Sequence, residues 1–105
     1  MIFITGPLYS GKHAFAQTLG GKCADAAEYL PAGCTDEAAL TALADSLAEY
    51  DIVIATEIGG GVVPTDPAQR AEREAAGRLA CLLAARASTV VRVFCGIPTI
   101  LKGSL

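Results

Sequence analysis

Short apolar runs and longer stretches of helical spacing take turns along this chain. Met1-Ile2-Phe3-Ile4-Thr5 is apolar almost throughout, as in a strand buried on both faces of a parallel sheet. Lys12 to Leu19 predicts a first helix with Ala14, Phe15 and Leu19 inward, ended by Gly20-Gly21. Thr35-Asp36-Glu37 opens a second helix with acids in its first turn. Its stripe is Leu40, Leu43, Ala44 and Leu47, and it ends near Tyr50. Asp51 to Thr56 is short and β-branched, which predicts a second strand. Asp66 is placed to cap the longest helix, with Pro67 at its first position; it runs to about Ala87. Ala75, Leu79, Leu82 and Leu83 form its apolar stripe, and Arg70, Arg73 and Arg78 lie off it. Thr89 to Phe94 is a third strand, broken by Gly96-Ile97-Pro98, with Thr99 to Leu101 a short final strand.

Residues 22–35 carry the weakest pattern. Lys22 to Ala27 fits a short strand, and Tyr29 to Gly33 fits a turn or loop. The whole reads as one domain over residues 1–105, an α/β three-layer fold of the P-loop nucleotide-binding kind with a small, mostly parallel sheet. Gly77 inside a helix costs about 1 kcal/mol against Ala, and the close approach of another backbone would account for it.

Between the first strand and the first helix stands Gly6-Pro7-Leu8-Tyr9-Ser10-Gly11-Lys12-His13. This is G-x-x-x-x-G-K with the usual final Ser/Thr replaced by His13. A strand before and a helix after are the context of a phosphate-binding loop. Glycines let backbone N–H groups crowd around phosphate oxygens, the helix N-terminus adds a positive field, and Lys12 supplies a full charge. A plain Gly-rich turn with an exposed lysine is the blander reading. The residues Gly6 through His13 are thus the nucleotide-binding candidates, for GTP or ATP with Mg²⁺. The hydroxyl normally at position 13 helps hold Mg²⁺, which prefers oxygen. His13 is therefore read as a surface or packing residue rather than a ligand.

Glu57 follows the second strand, at the carboxyl end where parallel sheets bind ligands. It is a candidate to hold Mg²⁺ or its waters, or to act as a base. Equally, it fits a carboxylate that only caps the glycine loop Ile58 to Pro64. With Lys12 it makes the candidate catalytic pair. Asp25 can approach the same site from a neighbouring strand end, although a solvated turn carboxylate is the simpler reading.

Composition narrows the classes. Apolar residues make up 52% of 105, rather much for so short a chain, which points to an oligomer burying the surplus. A net charge of −3 argues against a nucleic-acid partner. No apolar run is long enough to span a membrane, and the start lacks a basic leader, so a cytoplasmic location is expected. Cys23, Cys34, Cys81 and Cys95 show no C-x-x-C spacing and only one His accompanies them. They read as buried small hydrophobes, with Cys23 and Cys34 worth checking for proximity.

Several segments together resemble the bifunctional adenosylcobinamide kinase / adenosylcobinamide-phosphate guanylyltransferase family of cobalamin biosynthesis. Glu57-Ile58-Gly59-Gly60-Gly61-Val62-Val63-Pro64 fits its E-[VI]-G-x-G-[VI]-V-P pattern. Arg70, Arg73 and Ala76-Gly77-Arg78-Leu79 fall in register with its Arg-rich helix. Gly96-Ile97-Pro98-Thr99-Ile100-Leu101-Lys102 matches its final strand motif, and the phosphate loop matches as well. The resemblance covers about residues 1–19 and 51–102. It implies a P-loop fold, phosphoryl transfer from ATP or GTP to a cobinamide acceptor, and a homo-oligomer. Three departures stand against that pattern. Members are longer in the middle, where a His-rich stretch carries the histidine that becomes guanylylated; here His13 is the only histidine. The family's second-strand Asp that serves Mg²⁺ has only Asp25 and Glu57 as stand-ins, and the Ser/Thr after Lys12 is absent. The resemblance therefore implies kinase rather than guanylyltransferase chemistry. The alternative is a non-catalytic nucleotide-binding regulator or partner of the corrinoid pathway.

Overall fold

Strand β1 (Ile2–Gly6) lies at the centre of a five-stranded sheet of order β2-β3-β1-β4-β5. The structure is a computed structural model, and it describes residues 1–30, 36–57 and 66–105. Parallel to β1 run β3 (Ile52–Thr56) on one side and β4 (Thr89–Phe94) on the other. The short β2 (Cys23–Asp25) adds to β3 in parallel, and β5 (Ile97–Lys102) closes the far edge antiparallel to β4.

Because successive side chains of a strand point to opposite faces, β1 divides the core in two. Phe3 packs with Leu40, Leu47, Leu79 and Leu83 on one face. Those leucines come from α3 (Glu37–Leu47) and α4 (Pro67–Arg86). Ile4 packs with Ile52, Ile54, Val91 and Val93 on the other, beneath α1 (Lys12–Leu19). Helices thus cover both faces of the sheet, giving the three-layer α/β arrangement expected of a P-loop fold.

Asp36 and Asp66 cap α3 and α4 by accepting from Ala38 and Ala68 N–H, at 3.1 and 3.0 Å. Each satisfies a donor that a helix start leaves free. Thr35 and Cys34 lie outside the described residues, as does the segment 58–65 with the Gly59-Gly60-Gly61 motif.

Several expectations need correcting. Ala14 is exposed, and Ala16 takes the inward position on α1, flanked by half-buried Phe15 and Leu19. Eight residues make just over two turns, and the apolar side of α1 falls one step away from Ala14. A one-turn helix α2 (Ala26–Tyr29), capped by Asp25, stands where a loop was expected to begin. Gly96-Ile97-Pro98 does not break the sheet. Cys95 and Gly96 have φ of 52° and 74° and form a two-residue hairpin turn, the geometry that matches strand twist. Pro98 sits in the edge strand β5, where a missing N–H is tolerated. Cys23, Cys81 and Cys95 are exposed free thiols rather than buried hydrophobes. Arg78 bridges α4 to α3 through Glu37 and pairs with Glu74, both at 2.7 Å, so the polar face of α4 is partly a helix-to-helix clasp.

Candidate functional site

The chain after β1 turns through Gly6–Gly11 and enters α1 at the carboxyl edge of the sheet, beside the ends of β3 and β4. Gly6 is required there. A Cβ at this position would run into the Val93 carbonyl oxygen and come within 2.7 Å of Ser10 Oγ. Gly11, at φ 89°, is the left-handed residue that turns the chain into the helix. Tyr9 also holds a left-handed φ of 59° with its ring 94% exposed, an uncommon conformation for a bulky residue. The loop is tied down by Ser10 N–H to Pro7 O at 3.2 Å and by Gly96 N–H to Ser10 O at 2.7 Å. The β4–β5 turn therefore braces it from behind.

Lys12 is 3% exposed, and its ammonium donates to the Pro7 carbonyl at 3.1 Å. Among the described residues no carboxylate pairs with it. Ser10 Oγ is buried with no hydrogen-bond partner among them. A buried charge and a buried hydroxyl without adequate partners are costly. Both are groups that phosphate oxygens satisfy, so the loop fits a phosphate.

Glu57 adjoins the same place. Its N–H donates to Gly6 O at 2.8 Å. Both carboxylate oxygens accept from Arg92, at 2.6 Å from Nε and 2.9 Å from the second nitrogen, a two-pronged pair. The Arg92 guanidinium in turn lies 5.3 Å from the centre of the Phe94 ring. The hydrogen bonds from Arg92 hold the Glu57 carboxyl below the ordinary glutamate range, outweighing a partial desolvation that acts the other way. As it stands, Glu57 is an arginine-bound carboxylate, not a poised base. Arg92 was not among the sequence candidates. The available signal was a lone charge inside Val90-Val91-Arg92-Val93.

The depressed pKa has a consequence for stability. A carboxyl whose folded pKa lies below its unfolded one contributes stability that is complete above the unfolded value and lost as pH falls through the folded one. Denaturant midpoints of wild type are expected to drop on acidification through and below the usual glutamate range. Part of that drop should vanish in Arg92→Leu. An identical acid profile for the two proteins would contradict the pairing.

His13 and Asp25 meet as well, with Nε2 and Oδ2 at 3.2 Å. Asp25 is the last residue of β2, and its other oxygen accepts from Ala27 N–H at 3.0 Å. The described residues do not make an oxygen cage for Mg²⁺. Position 13 offers an imidazole and the oxygens of Glu57 are taken, which leaves Asp25 alone.

On the face of α3 and α4, at the same edge, lies a cavity of about 210 Å³. Ala26, Leu30, Ala55, Leu79 and Leu83 give it apolar walls, and Thr5, Thr56 and Glu57 bring polar groups. Gly77 lines it too, and among the described residues no atom outside its own helix turn lies within 4 Å of where its Cβ would be. None of the described residues makes the backbone approach expected at Gly77.

A profile of the family described as cobinamide kinase / cobinamide phosphate guanyltransferase matches residues 34–101, more than half of the chain. The chain belongs to the cobinamide kinase / cobinamide phosphate guanyltransferase family. A search of curated proteins returns no match. The matched segment holds Glu57, Gly77 and Arg92 and begins after the phosphate loop, so the loop rests on its own geometry. Among the described residues no helix is long and apolar enough to cross a membrane.

Proposed function

We propose that this member of the cobinamide kinase / cobinamide phosphate guanyltransferase family binds GTP or ATP at Gly6–His13 and passes the terminal phosphoryl group to a hydroxyl of a cobinamide, in cobalamin biosynthesis in the cytoplasm. The observation that carries the reading is the loop itself. A buried Lys12 whose direct acceptor is the Pro7 carbonyl, and a Ser10 Oγ without a hydrogen-bond partner among the described residues, converge on a glycine-framed turn at a helix N-terminus.

Phosphoryl transfer needs chiefly positioning and charge neutralisation. In this reading the acceptor oxygen forms a bond to the terminal phosphorus as the bond to the bridging oxygen breaks. The hydroxyl proton leaves to solvent or to the transferred phosphate. Lys12 and the N–H groups at the start of α1 neutralise the phosphates, while the Ser10 N–H stays on the Pro7 carbonyl; Pro7 has no N–H and serves as a rigid corner. Glu57 and Arg92 tie the end of β3 to β4 and thereby hold Gly6 through the Glu57 N–H. The absence of a second histidine favours kinase over guanylyl transfer.

The apolar cavity is proposed to seat a neutral aliphatic arm of the acceptor. The test is a cobinamide phosphorylation assay with GTP and ATP, on wild type and Gly77→Leu, with Mg²⁺ and Mn²⁺ supplied. Wild type is expected to form cobinamide phosphate. Gly77→Leu should raise the acceptor KM severalfold while gaining up to about 1 kcal/mol in stability, because leucine is the better helix former. Nucleotide binding without turnover under all conditions would instead support the non-catalytic partner reading, which the Arg92-bound Glu57 favours.

We also place this chain in a homo-oligomer. Phe94, Ile97, Ile100 and Leu101 stand exposed along the β4–β5 edge, and an uncovered apolar edge strand invites pairing. Sedimentation should give a mass of two or more chains, reduced to one by Ile100→Lys. A monomeric wild type would contradict this.

A further inference from the structure

The mismatch between the loop and Mg²⁺ has a local answer. We propose that His13 and Asp25 are the two protein ligands of a divalent-metal seat that favours first-row transition-metal ions such as Mn²⁺ over Mg²⁺, completed by phosphate oxygens of the bound nucleotide and by water.

Placement supports it first. His13 follows Lys12 in the first turn of α1, where a hydroxyl would otherwise face the cation of a bound nucleotide. Asp25 ends β2, paired in register with Ile54 of β3, so it reaches the same carboxyl edge of the sheet. The start of α1 and the end of β2 thus deliver one nitrogen and one oxygen to one spot beside the phosphate loop.

Geometry supports it next. Nε2 and Oδ2 are 3.2 Å apart. Two ligands at right angles, each about 2.1 Å from a cation, stand about 3 Å apart. A cation can therefore replace the shared proton once the two side chains turn so that both lone pairs aim at a point beside the Nε2–Oδ2 line. Asp25 Oδ1 is held by the Ala27 N–H, which fixes the carboxylate and leaves Oδ2 for a single bond. The His13 and Asp25 side chains are 56% and 26% exposed, so ion and nucleotide both have access. Among the described residues no third His, Cys, Asp or Glu joins them. That leaves most coordination positions to phosphate and water.

Chemistry sets the preference. Mg²⁺ demands oxygen and parts reluctantly with its waters, whereas imidazole suits the later first-row ions. A mixed N/O pair beside phosphate suits Mn²⁺ well enough and Mg²⁺ poorly. This inference rests on nucleotide binding at Gly6–His13, because the phosphates supply the remaining ligands.

Nucleotide affinity is first measured with EDTA present, which tests the loop without a metal. Titrations with Mn²⁺ and Mg²⁺ follow, with pulsed electron paramagnetic resonance of the Mn²⁺ complex to detect nitrogen coupling. Wild type should bind nucleotide at least about tenfold more tightly with Mn²⁺ than with Mg²⁺, a gap of about 1.4 kcal/mol, and should show imidazole nitrogen coupling. His13→Ala should lose the coupling and the preference, and His13→Ser should move the preference towards Mg²⁺. Asp25→Asn keeps a capping oxygen for Ala27 and should weaken Mn²⁺ alone. Nucleotide binding in EDTA with equal gains from the two ions, or nitrogen coupling that survives His13→Ala, overturns the metal seat and leaves the loop intact. No nucleotide binding under any condition overturns the loop reading itself.

Discussion

Replacing Lys12 by methionine should leave the fold at least as stable and weaken nucleotide binding roughly ten- to a hundredfold. The Lys12 ammonium is buried, with the neutral Pro7 carbonyl as its acceptor. Burying a charge whose direct partner is a neutral carbonyl opposes folding, and the Glu57 carboxylate, already paired with Arg92, acts on it only through space. Methionine keeps the unbranched stem and removes that charge. Hydrogen bonds to charged groups are worth about 1.5–3 kcal/mol, so affinity should fall roughly ten- to a hundredfold. Thermal unfolding with and without nucleotide checks both halves together. Wild type should gain melting temperature on adding nucleotide, by mass action. Lys12→Met should start no lower and gain little. A variant that keeps the full nucleotide-induced rise would show that Lys12 does not meet the phosphates.

Gly6→Ala should do the opposite and damage fold and site together. The new methyl meets Ser10 Oγ, which can rotate away, and the Val93 carbonyl, which cannot. That carbonyl belongs to β4, so β1 and β4 must part where the loop begins. Overpacking of this kind typically costs about 1–3 kcal/mol. The shift also carries Gly6 O, which anchors the Glu57 N–H at 2.8 Å. We expect a lower melting temperature and no nucleotide binding well below it. Gly77→Ala is the contrasting control. Its methyl meets no other described residue, Gly77 is helical, and stability should rise. Equal behaviour of the two variants would mean that the close approach at Gly6 is not what holds the loop.

Much of the architecture was legible because local chemistry and burial agree. Asp36 and Asp66 cap their helices as acceptor side chains placed one residue before the first helical position should, and Pro67 falls where its missing N–H is harmless. Ile52 to Thr56 and Thr89 to Phe94 are strands buried in the middle of the sheet, and their β-branched runs show it. The hairpin was harder to read. Cys95 takes a positive φ that thiols rarely adopt, so nothing marked the turn as two residues long, and Pro98 looked like a stop. Cys23, Cys81 and Cys95 were misjudged because their small apolar character says little about facing. Cys81 sits on α4 two residues before the buried Leu83, on the other side of the helix.

The loop at Gly6–His13 was recognisable as a string, since glycine and lysine at fixed spacing have few other uses between a strand and a helix. Its neighbours were not. The Glu57–Arg92 pair joins residues 35 apart, and His13 meets Asp25 across the ends of α1 and β2. Such pairings arise only when the sheet order brings strand ends together. Glu57 was visible as a carboxylate at a strand end, but what neutralises it comes from β4. Family membership adds the segment 34–101, which holds Glu57 and Arg92 but neither His13 nor Lys12.

Calorimetric titration of the intact chain with GTP and with ATP, in EDTA, tests the central claim most directly. The account predicts saturable, one-site binding of at least one nucleotide, weakened at least about tenfold in Lys12→Met. A folded protein that gives no binding with either nucleotide would contradict it.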